Sequence, residues 1–254
     1  MPWDFALILI FLGVAVPLLG RRRVRQLLQI PSTTKEDRLR LYASTMAFQW
    51  LASGVILWRS LARGISTAQM GLAFPRPVLT FVISIVLVSL IFLNQLVGVR
   101  RLSAKSASNQ GTVPQLAQKL FPQDAVERLA FFALVVTVAL CEEFIYRGFV
   151  QNLFQTLAGG SAYFAVFGSA AFFSLAHLYQ GRRGLISTFV VGLLFSAATA
   201  VSLSLIPAVA AHFVADFTAG MLAPKYLKRA MPSTIDPSAA VTRAESASIT
   251  IHIV

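Results

Sequence analysis

Residues 129–155 read LAFFALVVTVALCEEFIYRGFVQNLFQ. The run contains no proline and exceeds the roughly 20 apolar residues that a helix needs to cross a hydrocarbon core. Yet Glu142, Glu143 and Arg147 sit inside it. Charge at such a position is expensive to keep. Intramembrane ionisable groups generally face the protein interior and mark function. The stretch therefore points to an all-α, polytopic membrane helix bundle and to the place where its chemistry is sought.

The rest of the chain has the same bias. Of 254 residues, 56% are hydrophobic and 13% charged, and the mean hydropathy is +0.71, whereas a soluble domain carries about one quarter charged residues. Apolar segments near 4–20, 41–62, 78–98, 161–180, 185–203 and 205–223 join 129–155 as candidate spans, so about seven to eight transmembrane helices are expected. Helices satisfy their own backbone polar groups in lipid, and no alternating pattern suggests a barrel. Phe5 to Gly20 lacks a basic leader and a small-x-small cleavage site, so it reads as a first span rather than a cleaved signal.

The net charge of +12 could indicate nucleic acid, but the basic residues lie between apolar segments and leave no soluble basic domain to bind one. Membrane lipids are the expected partners instead. With the N-terminus outside, eighteen of the 22 Lys and Arg fall in 21–40, 99–128, Arg182–Arg183 and the C-terminal segment. Positive-inside topology then places those segments and the C-terminus in the cytoplasm. Only Arg59, Arg63 and Arg76 fall outside, and Arg147 belongs to the buried motif. Three regions are expected: N-terminal helices with basic loops at 1–124, a four-helix core at 125–223, and a basic, mobile tail at 224–254. The connection 103–125 reads as a loop with a short surface helix. The terminal ITIHIV, including His252, reads as incidental. Cys141, the single cysteine, reads as a packing residue.

Six ionisable groups lie deep in apolar segments: Glu142, Glu143, Arg147, His177, His212 and Asp216. All are in the last four spans, which suggests a catalytic half and a supporting half. Glu143 and Arg147 are spaced i,i+4 with the acid first, so they can pair on one helical face. Glu142 points about 100° away and shares its face with Tyr146. One acid is thus compensated and the other is left for proton transfer. Phe173 precedes His177 by one turn and can fix its ring. His212 and Asp216 are also at i,i+4, so Asp216 can orient His212. Counted along the helices, Glu142 and His177 reach similar depths, about 20 Å and 24 Å from the outer ends of their spans. His212 reaches only about 10 Å, unless its helix begins deeper, which Pro207 would allow.

The ordered motifs EEFIYR (142–147), FSLAH (173–177) and HFVAD (212–216) resemble the CPBP (Abi) family, which includes the CAAX prenyl endopeptidases and bacterial relatives linked to bacteriocin processing or self-immunity. The resemblance covers about residues 125–223. It implies an intramembrane glutamate protease without a cofactor, in which Glu142 and His177 activate water. His212, with the residue at 216, would stabilise the oxyanion, and Glu143 and Arg147 would shape the site. The well-studied prenyl endopeptidases carry Asn where this chain has Asp216. An ionised Asp cannot donate to an oxyanion, so Asp216 would be protonated, orient His212 or meet a cation. The resemblance also implies a membrane-associated peptide substrate and a bacterial cytoplasmic membrane.

Three other readings use the same residues. Two histidines and a carboxylate can hold zinc beside an open position, although no HExxH is present. A non-catalytic scaffold or immunity protein could keep the polar cavity to bind a partner. A proton-coupled transporter could use the groups as a relay, but the chain lacks the repeated halves common in such proteins.

Overall fold

Why the apolar runs end where they do follows from their caps. Thr34 and Asp37 form a reciprocal capping box at the start of the 41–62 segment. Asp124 accepts from the Glu127 amide at 2.8 Å, and Ser161 caps the next helix. At the other ends, Gly159 and Gly160 take positive φ, which glycine adopts without a Cβ penalty. Side-chain oxygens at the first turn satisfy amides that have no partner within the helix.

The computed structural model describes residues 1–103, 116 and 119–230. The helices are α1 (Trp3–Ile10), α2 (Val16–Gln29), α3 (Lys35–Ala62), α4 (Pro77–Ser103), α5 (Ala125–Glu143), α6 (Gln151–Leu157), α7 (Ala162–Ala176), α8 (Gly181–Ser202) and α9 (Ile206–Ala230). A π segment, Phe11–Ala15, makes α1 and α2 one rod, and another, Phe144–Val150, joins α5 to α6. The result is seven helical rods with no strand among the described residues. Four rods are long and apolar enough to cross a membrane: Trp3–Gln29, Pro77–Gly98, Ala125–Leu157 and Leu178–Ser202. Two apolar helices, Ala162–Ala176 and Ile206–Met221, are shorter. Helix α3 is diluted by polar residues such as Ser44, Thr45, Gln49 and Ser53. The chain is an integral membrane helix bundle. Large apolar side chains stand exposed along it, among them Leu51, Phe81 and Val78, as lipid contact requires.

Helix α9 packs against α4, α5 and α8, and α7 packs against α8. In lipid, close approach of helices replaces much of the hydrophobic drive, so small residues matter at crossings. Gly192 is such a residue: a Cβ there would lie 3.2 Å from the Ala170 Cα. Helix α9 continues to Ala230, past the expected span end near 223. The remainder of the expected tail, 231–254, with ITIHIV and His252, lies outside the described residues. So does most of the expected 103–125 loop.

Polar contacts close the bundle at both ends. At the basic end, Arg38 donates to both oxygens of Glu127, at 3.1 and 2.7 Å, and to the Thr33 carbonyl. Lys35 pairs with Asp124 at 2.6 Å. That ammonium holds the Asp124 carboxyl below the usual carboxylate range. Lys119 donates to the Leu27 and Leu28 carbonyls, and the Tyr42 hydroxyl donates to the Leu120 carbonyl. At the opposite end, Asp4 accepts from Arg59 and Arg63, and Arg76 donates to the Val201 carbonyl. The three arginines assigned to the outer side are thus all held by acceptors.

The Arg38–Glu127 pair is the costly one to break, because both side chains are covered, at 5% and 1% exposure. Glu127→Ala should lower stability by about 3 kcal/mol, since it strands a covered guanidinium. The double variant Arg38→Met/Glu127→Leu should recover most of that loss. Thermal unfolding in detergent reads both, and a single variant as stable as wild type would show the pair to be idle.

Candidate active site

The acidic stretch sits where α5 gives way to the π segment. Residues 144–150 are all buried. A π insertion widens the turn and re-aims side chains, and such insertions are frequent at functional sites. An unbroken α-helix was the expectation here. Gly148 marks the departure: a Cβ at that position would meet the Met70 carbonyl oxygen at 2.9 Å. The loop between α3 and α4 therefore presses its backbone onto this turn.

Glu143 is the centre of the network. Its Oε1 accepts from Arg147 Nη1 at 3.0 Å and faces His212 Nδ1 at 2.6 Å. The carboxylate and the guanidinium are both fully buried. Arg147 also donates from Nη2 to the Gly192 carbonyl at 3.3 Å. Its guanidinium carbon lies 4.3 Å from the Phe173 ring centroid and 5.3 Å from that of Phe195, within cation–π range. One turn further, Gln151 donates to the Ser196 carbonyl. Ser169 donates to the Tyr146 carbonyl at 2.7 Å. These bonds tie α7 and α8 to the π segment.

Phe173 carries both histidines. Its ring is 4.6 Å from that of His177, 5.9 Å from that of His212 and 5.4 Å from that of Tyr146. His177 is the C-cap residue of α7. Its Nδ1 lies 2.9 Å from the Phe173 carbonyl oxygen. A carbonyl only accepts, so Nδ1 carries a proton, and Nε2 is the ring nitrogen free of that contact, with a lone pair in the neutral ring.

His212 is buried between Phe173 and Phe195. Its Nε2 lies 3.5 Å from Asp216 Oδ2, and the Asp216 side chain is 41% exposed. The i,i+4 neighbours His212 and Asp216 thus face each other as the spacing suggested, and Glu143 joins from the other side of the ring. Glu143 grips Nδ1 closely, and Asp216 faces Nε2 at longer range. Spacing along α9 suggested Asp216 but could not reveal Glu143, which comes from another helix.

Glu142 is partly exposed and has a different partner. Gln49 of α3 donates from Nε2 to Glu142 Oε1 at 2.9 Å, while Oε2 has no hydrogen-bond partner among the described residues. No hydrogen bond joins Glu142 to His177 or His212 among the described residues. Gln49 was missed in the sequence reading. The available signal was a lone glutamine in an otherwise apolar stretch of α3, FQWLASGVIL (48–57).

The helix that carries His212 is held at its start by the preceding turn. Ser202, Ser204, Leu205 and Ala208 are buried. Leu203 turns the chain at φ 57°, and the Leu205 amide donates to the Gly71 carbonyl at 2.9 Å. The start of helix α9 is therefore packed on one side against the α3–α4 loop, while Leu203 and Ile206 stay exposed. Beside these turns lies an apolar cavity of about 550 Å³, walled by Leu140, Phe144, Val209 and Phe213 among others. Among the described residues, no group of three or more His, Cys, Asp or Glu side chains is disposed to hold a metal ion.

Residues 125–218 match the family model described as type II CAAX prenyl endopeptidase Rce1-like. No curated protein and no solved structure matches the chain.

The two adjacent acids should separate in a stability experiment. Glu143→Gln leaves Arg147 without its counter-charge and should cost about 3–5 kcal/mol. Glu142→Gln removes no buried ion pair and should stay within about 1 kcal/mol of wild type. Detergent unfolding curves for the two variants check the contrast. Equal losses would mean that both acids are structural.

Proposed function

With an Rce1-like CAAX prenyl endopeptidase domain at residues 125–218, we propose that this integral membrane protein is an endopeptidase. It hydrolyses peptide bonds of membrane-associated or lipidated substrates with water activated by Glu142 and His177. The observation that carries the reading is the unequal treatment of neighbouring carboxylates. Glu143 is bound by Arg147 and His212, whereas Glu142 keeps a covered oxygen without a partner.

Glu142 Oε2 accepts a proton from water as that water attacks the scissile carbonyl. A carbon–oxygen bond forms, the carbonyl electron pair moves to oxygen, and the carbon–nitrogen bond then breaks. Glu142 returns the proton to the leaving nitrogen. His177 accepts from the same water at Nε2, because its Nδ1 is committed to the Phe173 carbonyl. His212 donates from Nε2 to the developing oxyanion, with Asp216 adjusting the ring from the exposed side. This is the preorganised donor that charge development requires. Glu143, held by Arg147, fixes His212 from behind, and Phe173, packed on Tyr146, contacts both imidazoles. Gln49 holds Glu142 in position from outside the matched region. The apolar cavity against Leu140 and Phe213 suits an apolar portion of the substrate. No cofactor takes part in this reading.

The charge distribution supports a cytoplasmic opening with the C-terminus on that side. His177 ends α7 next to the basic Arg182–Arg183 turn. A bacterial cytoplasmic membrane suits this topology.

Cleavage of lipidated and transmembrane peptides by the full chain in detergent tests the proposal. Glu142→Gln and His177→Ala should each lower kcat by roughly 10²–10⁴. Gln49→Leu should lower it by about tenfold, as expected for loss of a positioning hydrogen bond. Unchanged turnover in Glu142→Gln would refute the assignment. Chelator treatment should leave turnover intact. Loss restored by zinc would move the protein to the metal-dependent class.

A further inference from the structure

A second cavity lies at the basic end of the bundle. It measures about 340 Å³ and is formed where the end of α2, the first turns of α3 and the segment at Lys119 and Leu120 meet. Leu27, Ile30 and Leu41 give it an apolar wall, and Arg23, Arg38, Arg40 and Lys119 line it as well. Hydrogen bonds locate three of these cationic heads. Arg23 Nη2 donates to Ser44 Oγ at 2.7 Å, and Arg38 Nη1 donates to the Thr33 carbonyl at 2.8 Å. Lys119 Nζ donates to the Leu27 carbonyl at 3.1 Å and to that of Ile30. Ser44, Thr33, Leu27 and Ile30 are themselves lining residues, so these heads stand at the cavity wall. Arg23 and Arg40 are also exposed, which leaves them open to a ligand.

The charges at this wall do not balance. Glu127 meets Arg38. Asp37, the acid on the wall, accepts from the amide and hydroxyl of Thr34 in the helix cap. Arg23, Arg40 and Lys119 form no ion pair with a carboxylate among the described residues. The carbonyls that receive Lys119 fix its position but carry no net charge. Guanidinium groups match phosphate oxygens with parallel donors, so a phosphate ester answers the cations. Free phosphate would leave the apolar wall uncovered, and an acyl chain alone would leave the cations unmet. A phospholipid with net negative charge covers both. The level agrees: Arg23 follows the apolar run 4–20 by three residues, and Leu41 opens the run 41–62. The cavity thus stands where hydrocarbon gives way to headgroups, the depth at which basic pockets between spans take anionic lipid. We infer that this cavity seats one anionic phospholipid, its phosphate held by Arg23, Arg40 and Lys119 and its glycerol end against Leu27 and Leu41. The bound lipid clamps the end of α2 to α3. The site is independent of the proposed peptidase activity.

Lipid titration tests it without any turnover assay. The full chain is purified in an uncharged detergent and stripped of lipid. Phosphatidylglycerol or zwitterionic phosphatidylcholine is then added, and bound lipid is counted by native mass spectrometry. Phosphatidylglycerol should bind as a one-to-one adduct at least about tenfold more tightly than phosphatidylcholine. Arg23→Gln/Arg40→Gln should abolish that preference. Arg21→Gln/Arg25→Gln removes the same charge from exposed positions of α2 that do not line the cavity, and should keep it. If the first double variant does not fold, Ser44→Glu places an acid on the same wall and should abolish the preference in the same way. Equal binding of the two lipids by wild type would mean that no anionic headgroup is selected. Equal loss in both double variants would show diffuse surface charge in place of a site. Displacement of phosphatidylglycerol by millimolar inorganic phosphate would show a site for the free anion. Each of these three results overturns the inference.

Discussion

A single carboxylate oxygen, Glu143 Oε1, joins the helices that carry the buried charges of this bundle. It is fully buried and meets both Arg147 and His212. An isolated charge there would be driven to neutralise or to leave the interior. The compensation is distributed over three helical rods: the acid and the arginine come from the α5–α6 rod, the imidazole from α9, and the guanidinium continues to the Gly192 carbonyl of α8. Phe173 and Phe195 cover the cation on two sides. Helix positions are therefore coupled to electrostatics. None of these helices can shift by much without exposing an unpaired charge to a low-dielectric surrounding.

That constraint separates the two neighbouring acids. Successive helical residues diverge by about 100°, so only one of them can face Arg147. Glu142 turns toward α3, where a neutral amide meets one of its oxygens. An amide donor fixes the direction of a carboxylate without supplying a counter-charge. The consequence is a carboxyl group that is oriented yet not neutralised, next to one that is both. A protein that only needed to lock its helices would have no use for the first of these.

Much of this arrangement is legible in the sequence because helical periodicity reports local neighbours. The pairings Glu143–Arg147 and Phe173–His177 are one turn apart, and the structure has both. Charged residues in apolar runs also announce themselves by their cost. What periodicity cannot report is contact between distant helices. Gln49 with Glu142, His212 with Glu143, and Arg38 with Glu127 each depend on bundle geometry. The π segment was hidden for a related reason. A one-residue expansion at Phe144–Val150 leaves the hydrophobic composition unchanged, and the Met70 carbonyl that packs against Gly148 comes from a loop distant in the chain. The start of α9 was half legible: Pro207 suits an early helical position, but nothing local specifies that the Gly71 carbonyl caps the turn from another loop.

The placement of His212 follows from that turn. A histidine two turns into a helix is shallow if the helix begins at the membrane surface. Here Ser202, Ser204 and Leu205 of the preceding turn are buried while Leu203 is exposed, and Ser202 Oγ donates to the Ala198 carbonyl and receives the Ser204 amide. Irregular backbone is tolerated at membrane depth when protein rather than lipid surrounds it. The α3–α4 loop supplies that cover, which gives the N-terminal half a definite task. It meets the turn through Gly71, and it supplies Gln49 to the partly exposed Glu142. The segment matching the peptidase family holds the charged network, but one contact to the turn before the His212 helix and one to the Glu142 carboxylate come from outside it.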